Sequence, residues 1–378
     1  MKKKIIILGG GYAGISAAIV LSRYKQFEVL LIDQSEYFID KIRLQTTLYS
    51  FEGLNSIRKP FHYIAQQYGF QYTQACSDLK QESILKAIDF KVLETDKGEQ
   101  EFDYLVICTG AKASTNNMES NSFYDLERLL QTELSSELRF HISRKKNPVL
   151  KLAFIGGGAT SLQLLFDVYR YLRRVYDNYE MYLYDMGQSL LPYLPPEFHS
   201  YIERKLRNYR ISYYPAHRFL SYNGTEIQVR NMSDDKVASL NPDMLFYFPG
   251  VKANPGKTYC TKEGMLYSPE KLPISYIYSA GDCSEYEGRG LNALSAQAAV
   301  RKGRLIAKNI VNHSSKRNLD EYKHQELGYF ISLGKGDAIG WLLNRDNLVK
   351  GHTAFLMKET IELQFSLFLS GLDSYLEL

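Results

Sequence analysis

The chain has 378 residues, 45% of them hydrophobic and 23% charged, with a formal net charge of +4. That is too long for one ordinary core and fits two or three globular domains. Lys and Arg are scattered among 42 acids, so no nucleic-acid partner is expected. No run of about 18 apolar residues predicts a membrane-crossing helix. The four cysteines lack CxxC or CxxxxC spacing, which leaves neither a zinc site nor a vicinal redox disulfide; no metal is expected.

The predicted elements repeat. Ile5–Leu8 ends at once in glycines and reads as a buried first strand rather than a leader. The strand Lys4–Leu8 enters Gly9-Gly10-Gly11-Tyr12-Ala13-Gly14, then a helix runs to about Arg23 and a strand Glu28–Ile32 ends at Asp33. A helical stretch near Ile57–Tyr68 and alternating segments Ile88–Leu93 and Phe102–Ile107 lead to Thr109-Gly110. Asn121–Ser143 reads as one amphipathic helix followed by a basic linker at Arg144-Lys145-Lys146. The pattern then begins again: strand Leu150–Ile155, the turn Gly156-Gly157-Gly158-Ala159-Thr160-Ser161, a helix to about Tyr176, and a strand ending at Asp185. A helix near Glu197–Asn208, a hairpin turning at Asn223-Gly224 and a strand Met244–Phe248 close this half at Pro249-Gly250. The strand Ile274–Tyr278 ends in Ser279-Ala280-Gly281-Asp282 with no glycine unit of its own, so it is expected to rejoin the first domain. A helix from about Asn292 to Ile310, strand-like pieces Gly328–Leu333 and Asp337–Leu342, and a last helix complete the chain.

Each glycine turn fits a dinucleotide. In G-x-G-x-x-G the first glycine permits the bend and the second lets backbone approach a pyrophosphate. The third lets helix and strand pack closely, while the helix start offers N–H groups and a positive dipole end to the phosphates. Asp33 and Asp185 lie where a carboxylate accepts ribose hydroxyls. At the second turn Ser161 stands in place of the third glycine. No arginine follows Asp185, which favours NADH over NADPH there; a degenerate, empty second turn is the alternative. Two dinucleotides on one chain imply hydride transfer between them.

In this order Gly9–Gly14, Thr109-Gly110, Gly156–Ser161, Pro249-Gly250 and Ser279–Asp282 resemble the pyridine nucleotide–disulfide oxidoreductase superfamily over about residues 1–312. Within it the chain most resembles the type II NADH:quinone oxidoreductases and the apoptosis-inducing-factor-like flavoproteins. The resemblance implies an α/β fold: two Rossmann-like three-layer domains, for FAD and NADH, with a small C-terminal α+β region. The implied domains are 1–112 and 256–318 for FAD, 113–255 for NADH and 319–378 at the C-terminus. FAD would be held by Gly9, Gly11, Tyr12, Ala13, Gly14, Asp33, Thr109, Gly110 and Asp282. Ala296 and Gln297 would begin the helix beside the flavin ring. NADH would be held by Gly156, Gly158, Ala159, Thr160, Ser161, Asp185 and Gly250. Lys41 and Arg43 face either the FAD phosphates or solvent, and Gln297 either the flavin or the surface.

Two departures concern the acceptor. Gln163 stands where the family usually has a glutamate able to relay protons; an amide only hydrogen-bonds. Arg301 replaces a glutamine associated with the quinone pocket and would stabilise an anionic reduced flavin. Gln163, Gln297 and Arg301 are therefore the candidates for lining the flavin, with no obligatory acid or base. The absence of cysteine from Tyr37–Tyr49 excludes a dithiol relay. The expected function is hydride transfer from NADH to FAD, then electrons to an acceptor, by resemblance a quinone. A soluble NADH oxidase, a ferredoxin- or dye-type reductase and a non-enzymatic NADH sensor are the rivals. The expected setting is cytoplasmic, with peripheral membrane contact open, and the expected assembly a homodimer. In the last helix Ile361, Phe365, Phe368, Leu369 and Leu372 form one apolar stripe, which a membrane rest, dimer contact, flavin lid or plain core would all use.

Overall fold

The computed structural model describes residues 2–113, 118, 120–144, 149–254, 256–288, 292–323, 326 and 328–373; Lys145 and Lys146 of the basic linker lie outside them. In chain order, the elements that carry the sites begin with β1 (Lys3–Leu8), α1 (Tyr12–Ser22), β2 (Phe27–Asp33), β3 (Tyr104–Ile107), β4 (Leu150–Ile155) and α2 (Ala159–Val175). They continue with β5 (Tyr179–Tyr184), β6 (Met244–Tyr247), β7 (Pro273–Ser279), α3 (Ala296–Ser314), β8 (Ala338–Leu342) and α4 (His352–Leu369).

The chain forms two compact units. The first comprises Met1–Ile39, Arg58–Lys112 and Val251–Gln325. Its eight-stranded sheet contains the order β7-β3-β1-β2, continued beyond β2 by Gln71–Gln74. These strands pair in parallel, with Ile5 opposite both Val29 and Tyr104, and Ile277 opposite Leu105. Ile5, Ile6 and Ile7 are fully buried in succession, as in a parallel strand covered on both faces. Helix α1 packs on α3 so closely that a Cβ on Gly303 would overlap the Ala13 carbonyl oxygen.

The second unit comprises Asp40–Ile57, Ala113–Gly250 and Glu326–Leu378. Its five-stranded sheet runs Phe123–Tyr124, β6, β4, β5, Ser212–Tyr214, all parallel, with Leu152 opposite both Met181 and Met244. A three-stranded antiparallel sheet, Gly328–Ser332, β8 and Asn344–Gly351, packs against α4, and its first strand against α2. The fold is thus α/β with two parallel-sheet halves, as the repeated pattern predicts.

Three local expectations fail for physical reasons. Gln81–Phe90 is a helix where Ile88–Leu93 reads as alternating. Ile84 and Ile88, four apart, both turn to the core, and Lys91 in the left-handed region (φ 55°) ends the helix before strand Val92–Thr95. Asn121–Ser143 is not one helix: strand Phe123–Tyr124 adds to the sheet edge, Asp125 caps a short turn, and the helix proper is Leu134–Ser143. The segment after Asp33 is a 3-10 helix, Lys41–Leu48, and clusters with the second unit. In α4 the apolar stripe divides: Phe365, Phe368 and Leu369 are buried, while Ile361 and Leu372 are 39% and 63% exposed. Lys358 and Glu362 take the inward positions instead, because their ion pair neutralises both.

Overpacking a close helix contact costs about 1–3 kcal/mol. Gly303→Val is expected to lower urea-unfolding stability by that order; an unchanged midpoint would contradict the α1–α3 contact.

Candidate functional site

Both glycine turns have the same construction. Gly9 (φ 102°) and Gly156 (φ 96°) occupy conformations open mainly to glycine, and a Cβ at either would overlap the carbonyl oxygen of Cys108 or Phe248. At the middle of each turn the backbone is tied to the acid at the end of the next strand. Gly10 N–H donates to Asp33 Oδ2 at 2.6 Å, and Gly157 N–H to Asp185 Oδ1 at 3.1 Å. Asp33 Oδ1 also accepts from Ser35 N at 2.7 Å. A carboxylate has about four lone-pair sites, so each acid retains capacity for ribose hydroxyls.

The third glycine position separates the halves. A Cβ on Gly14 would overlap the Gly9 carbonyl, yet Ser161 occupies the equivalent place fully buried. Its Oγ has no hydrogen-bond partner. The second helix start therefore accommodates a Cβ that the first has no room for, and with it an orphan hydroxyl.

These turns fit a dinucleotide pyrophosphate. Gly11 and Gly158 are the N-caps of α1 and α2, neither start has a side-chain cap, and a Cβ at either glycine would meet nothing within 4 Å. Open space therefore lies over a helix N-terminus whose first N–H groups have no intrahelical partner. In the first unit, Gly281 (φ 83°) brings the turn before Asp282 against Ala13 at the start of α1. Thr109 Oγ1 donates to the Asn254 carbonyl at 2.5 Å, and Asn254 N–H to the Gly110 carbonyl at 3.0 Å, so Thr109-Gly110 is locked from behind. Ser295 caps α3 through the Ala298 N–H at 3.2 Å, which starts that helix at Ala296, with Ala296, Gln297 and Arg301 half-buried along its first turns. In the second unit Gly250 has φ 109°, and Ala159 and Thr160 begin α2. Lys41 is exposed and Arg43 half-buried on the 3-10 segment of that unit.

Gln163, the expected relay position, accepts from Ser332 N through Oε1 at 3.2 Å. The acid lies one turn further on: Asp167 is 4% exposed, and burial pushes its carboxyl up to about 7. Lys302, one residue after the predicted Arg301, is likewise buried, its Nζ donating to Ser284 O (3.2 Å), Ser284 Oγ (3.1 Å) and Asn292 Oδ1 (3.3 Å). Burial lowers its ammonium to about 8 despite Cys260, Cys283 and Asp282 nearby. The signal in the sequence was a lysine inside the apolar stripe Ala298-Ala299-Gly303-Ile306 of α3. Cys108, Cys260 and Cys283 are buried free thiols; burial raises Cys108 and Cys260 well above the ordinary thiol range. Such thiols are inert rather than catalytic.

The sequence profile of the pyridine nucleotide-disulphide oxidoreductases matches residues 3–303. The chain belongs to that family. Its relatives include type II NADH:quinone oxidoreductases of Staphylococcus saprophyticus (22% identical, covering 98% of this chain and 97% of the relative) and Staphylococcus aureus strain MSSA476 (23%, 96% and 94%). Among solved structures, NDH2 from Plasmodium falciparum in complex with NADH superposes with a TM-score of 0.81 at 16% identity, covering 99% of this chain and 97% of that one. The sulfide:quinone oxidoreductase of Aquifex aeolicus superposes with 0.79 at 14%, covering 99% and 93%. These likenesses establish the fold over the full described length.

Because the space above Gly11 and Gly158 is open, Gly11→Val and Gly158→Val are expected to leave apoprotein stability within about 0.5 kcal/mol, the usual range for a substitution that meets nothing. Gly11→Val is expected to strip FAD from the purified protein. Gly158→Val is expected to keep FAD and raise the KM for NADH at least tenfold. Equal loss of FAD in both variants would contradict the division of roles.

Proposed function

We propose that the protein is an FAD-dependent NADH dehydrogenase that delivers its electrons to a quinone. The observation that carries this reading is the duplication: two strand–glycine turn–helix units, each with an uncapped helix start and a carboxylate bonded back to the middle glycine. Bound FAD supplies a two-electron store that takes hydride from reduced nicotinamide and hands electrons on.

The chain's own groups bind and orient. The starts of α1 and α2 receive the two pyrophosphates, and Asp33 and Asp185 receive the riboses. Asp185 repels a 2′-phosphate, and the residue after it is Met186 rather than an arginine, so NADH is the substrate form. Hydride transfer needs alignment rather than an acid, so an amide at Gln163 is no obstacle to it. Thiol chemistry takes no part, since among the four cysteines three are buried.

The quinone acceptor is supported by the names of the relatives, which align over nearly the whole chain. The net change is NADH, one proton and quinone giving NAD+ and hydroquinone. Among the described residues no helix is long and apolar enough to cross a membrane. The exposed Leu356, Leu363 and Leu367 on α4 offer a peripheral rest on the membrane that holds a quinone. A soluble acceptor is the second reading, favoured by the amide at Gln163.

Anaerobic stopped-flow mixing separates the two. NADH is expected to bleach the flavin absorbance in a single fast phase, with a water-soluble quinone restoring it faster than oxygen or a ferredoxin does. Bleaching without reoxidation by quinone would remove the acceptor and leave the dehydrogenase. Asp185→Arg is expected to shift kcat/KM toward NADPH by at least tenfold; unchanged preference would remove Asp185 from the ribose site.

A further inference from the structure

Lys302 is 2% exposed, in the second turn of α3 and within the first unit. An ammonium carries three N–H donors and accepts nothing. Its Nζ has three oxygen partners: the Ser284 carbonyl at 3.2 Å, Ser284 Oγ at 3.1 Å and Asn292 Oδ1 at 3.3 Å. The charge also lies 4.3 Å from the centre of the Tyr286 ring and 5.7 Å from that of Tyr322. Asp282 and Glu285 act on it electrostatically, but its hydrogen-bond partners are all neutral, and Glu285 pairs with Lys257 Nζ at 2.6 Å.

A buried charge met by neutral acceptors is expensive, and an apolar side chain of this length would fill the space at lower cost. What such a side chain would lose is the set of bonds. They run in two directions.

The first branch reaches the turn that carries Asp282. Ser284 Oγ, which accepts from Lys302, donates in turn to the Gly281 carbonyl at 2.7 Å, and Ser284 N–H donates to the same carbonyl at 3.1 Å. Gly281 stands against Ala13 at the start of α1, and Asp282 follows it directly. The second branch reaches the approach to α3. Asn292 Oδ1 accepts from Lys302 and from the Tyr286 N–H at 2.8 Å, and Asn292 Nδ2 donates to the Tyr286 carbonyl at 2.9 Å. Tyr286 Oη closes the circuit by donating to the Ser279 carbonyl at 3.0 Å. Ser284 and Tyr286 are the two ends of a short strand paired in parallel with Thr258–Cys260. One ammonium therefore ties the Ser279–Asp282 turn to the segment that enters α3.

We propose, on the reading that FAD lies on the Gly9–Gly14 turn and Asp282, that Lys302 is a positioning residue for the cofactor. Through Ser284 and Asn292 it holds Asp282 and the start of α3 in the mutual arrangement that receives FAD. A site held in its binding arrangement spends less of its binding energy on ordering, so it keeps its ligand longer.

FAD release is the direct readout. The FAD-loaded wild type, Lys302→Met, Ser284→Ala and the control Ile310→Ala are diluted, and freed FAD is followed by its fluorescence. Ile310 is fully buried farther along α3 and outside these bonds, so truncating it weakens packing alone. Lys302→Met is expected to release FAD at least about tenfold faster than wild type, the loss that bonds to a charged group imply. Ile310→Ala, even with a comparably lowered unfolding temperature, is expected to release it no more than about twofold faster. Ser284→Ala should speed release in the same direction. Lys302→Met and Ser284→Ala together should act by less than the product of the single effects, because both groups serve one chain of bonds. A Lys302→Met chain that folds without FAD, beside an Ile310→Ala chain that retains it, is the same result in its extreme form. If Lys302→Met does not fold, Lys302→Gln and Ser284→Ala decide by the same readout. Wild-type release in Lys302→Met, equal acceleration in Ile310→Ala, or fully multiplicative effects in the double variant would overturn the proposal with FAD binding intact. A wild type that neither carries nor takes up FAD would overturn the FAD site itself, and the role of Lys302 with it.

Discussion

Each half of this protein turns on one hydrogen bond, from the N–H of a middle glycine to a carboxylate at the end of the neighbouring parallel strand. Gly10 gives its N–H to Asp33 and Gly157 gives its N–H to Asp185. The bond ties the loop after the first strand to the tip of the second, and a charge-assisted bond of this kind is among the stronger neutral-pH links available to backbone. With the loop fixed, the first glycine must take a positive φ under the carbonyl of a third strand, and the helix start is left uncapped and facing open space. Under the proposed function a nucleotide's pyrophosphate would complete what the chain leaves unsatisfied.

The repeat was legible because its requirements are local. Gly9, Gly156, Asp33 and Asp185 are each demanded by backbone geometry within one strand–turn–helix unit, so residue type alone betrays them. The return of β7 to the sheet beside β3 was also readable, since a strand without its own glycine unit had to pair elsewhere. Charge burial was not readable. Lys358 and Glu362 look like a solvated pair on a surface helix, and only the packing of α4 against the second unit turns them inward. Lys302 left a trace, as a lysine inside the apolar stripe of α3, but its partners did not: Ser284 opens a short strand and Asn292 lies in the segment before α3.

The two halves differ at the start of the helix that follows each glycine turn. The first keeps Gly14, so that strand and helix pack with no Cβ between them, and braces its turn with Gly281 and Gly303. The second accepts Ser161 with an unpartnered hydroxyl and an amide at Gln163 bonded to Ser332. Asp167, one turn along the same helix, keeps a titratable group in the interior without exposing it. Under the proposed function the first half would hold the resident cofactor and the second the nucleotide that enters and leaves.

The central claim is that one chain carries two unequal nucleotide sites, one permanently filled and one exchanging. Native mass spectrometry of the purified protein, titrated with NAD+, measures this directly. The account predicts one FAD per chain before any addition, and one NAD+ added reversibly on titration with the FAD retained. A chain that carries no FAD and cannot be reconstituted with it, or one whose FAD is displaced as NAD+ binds, would contradict it.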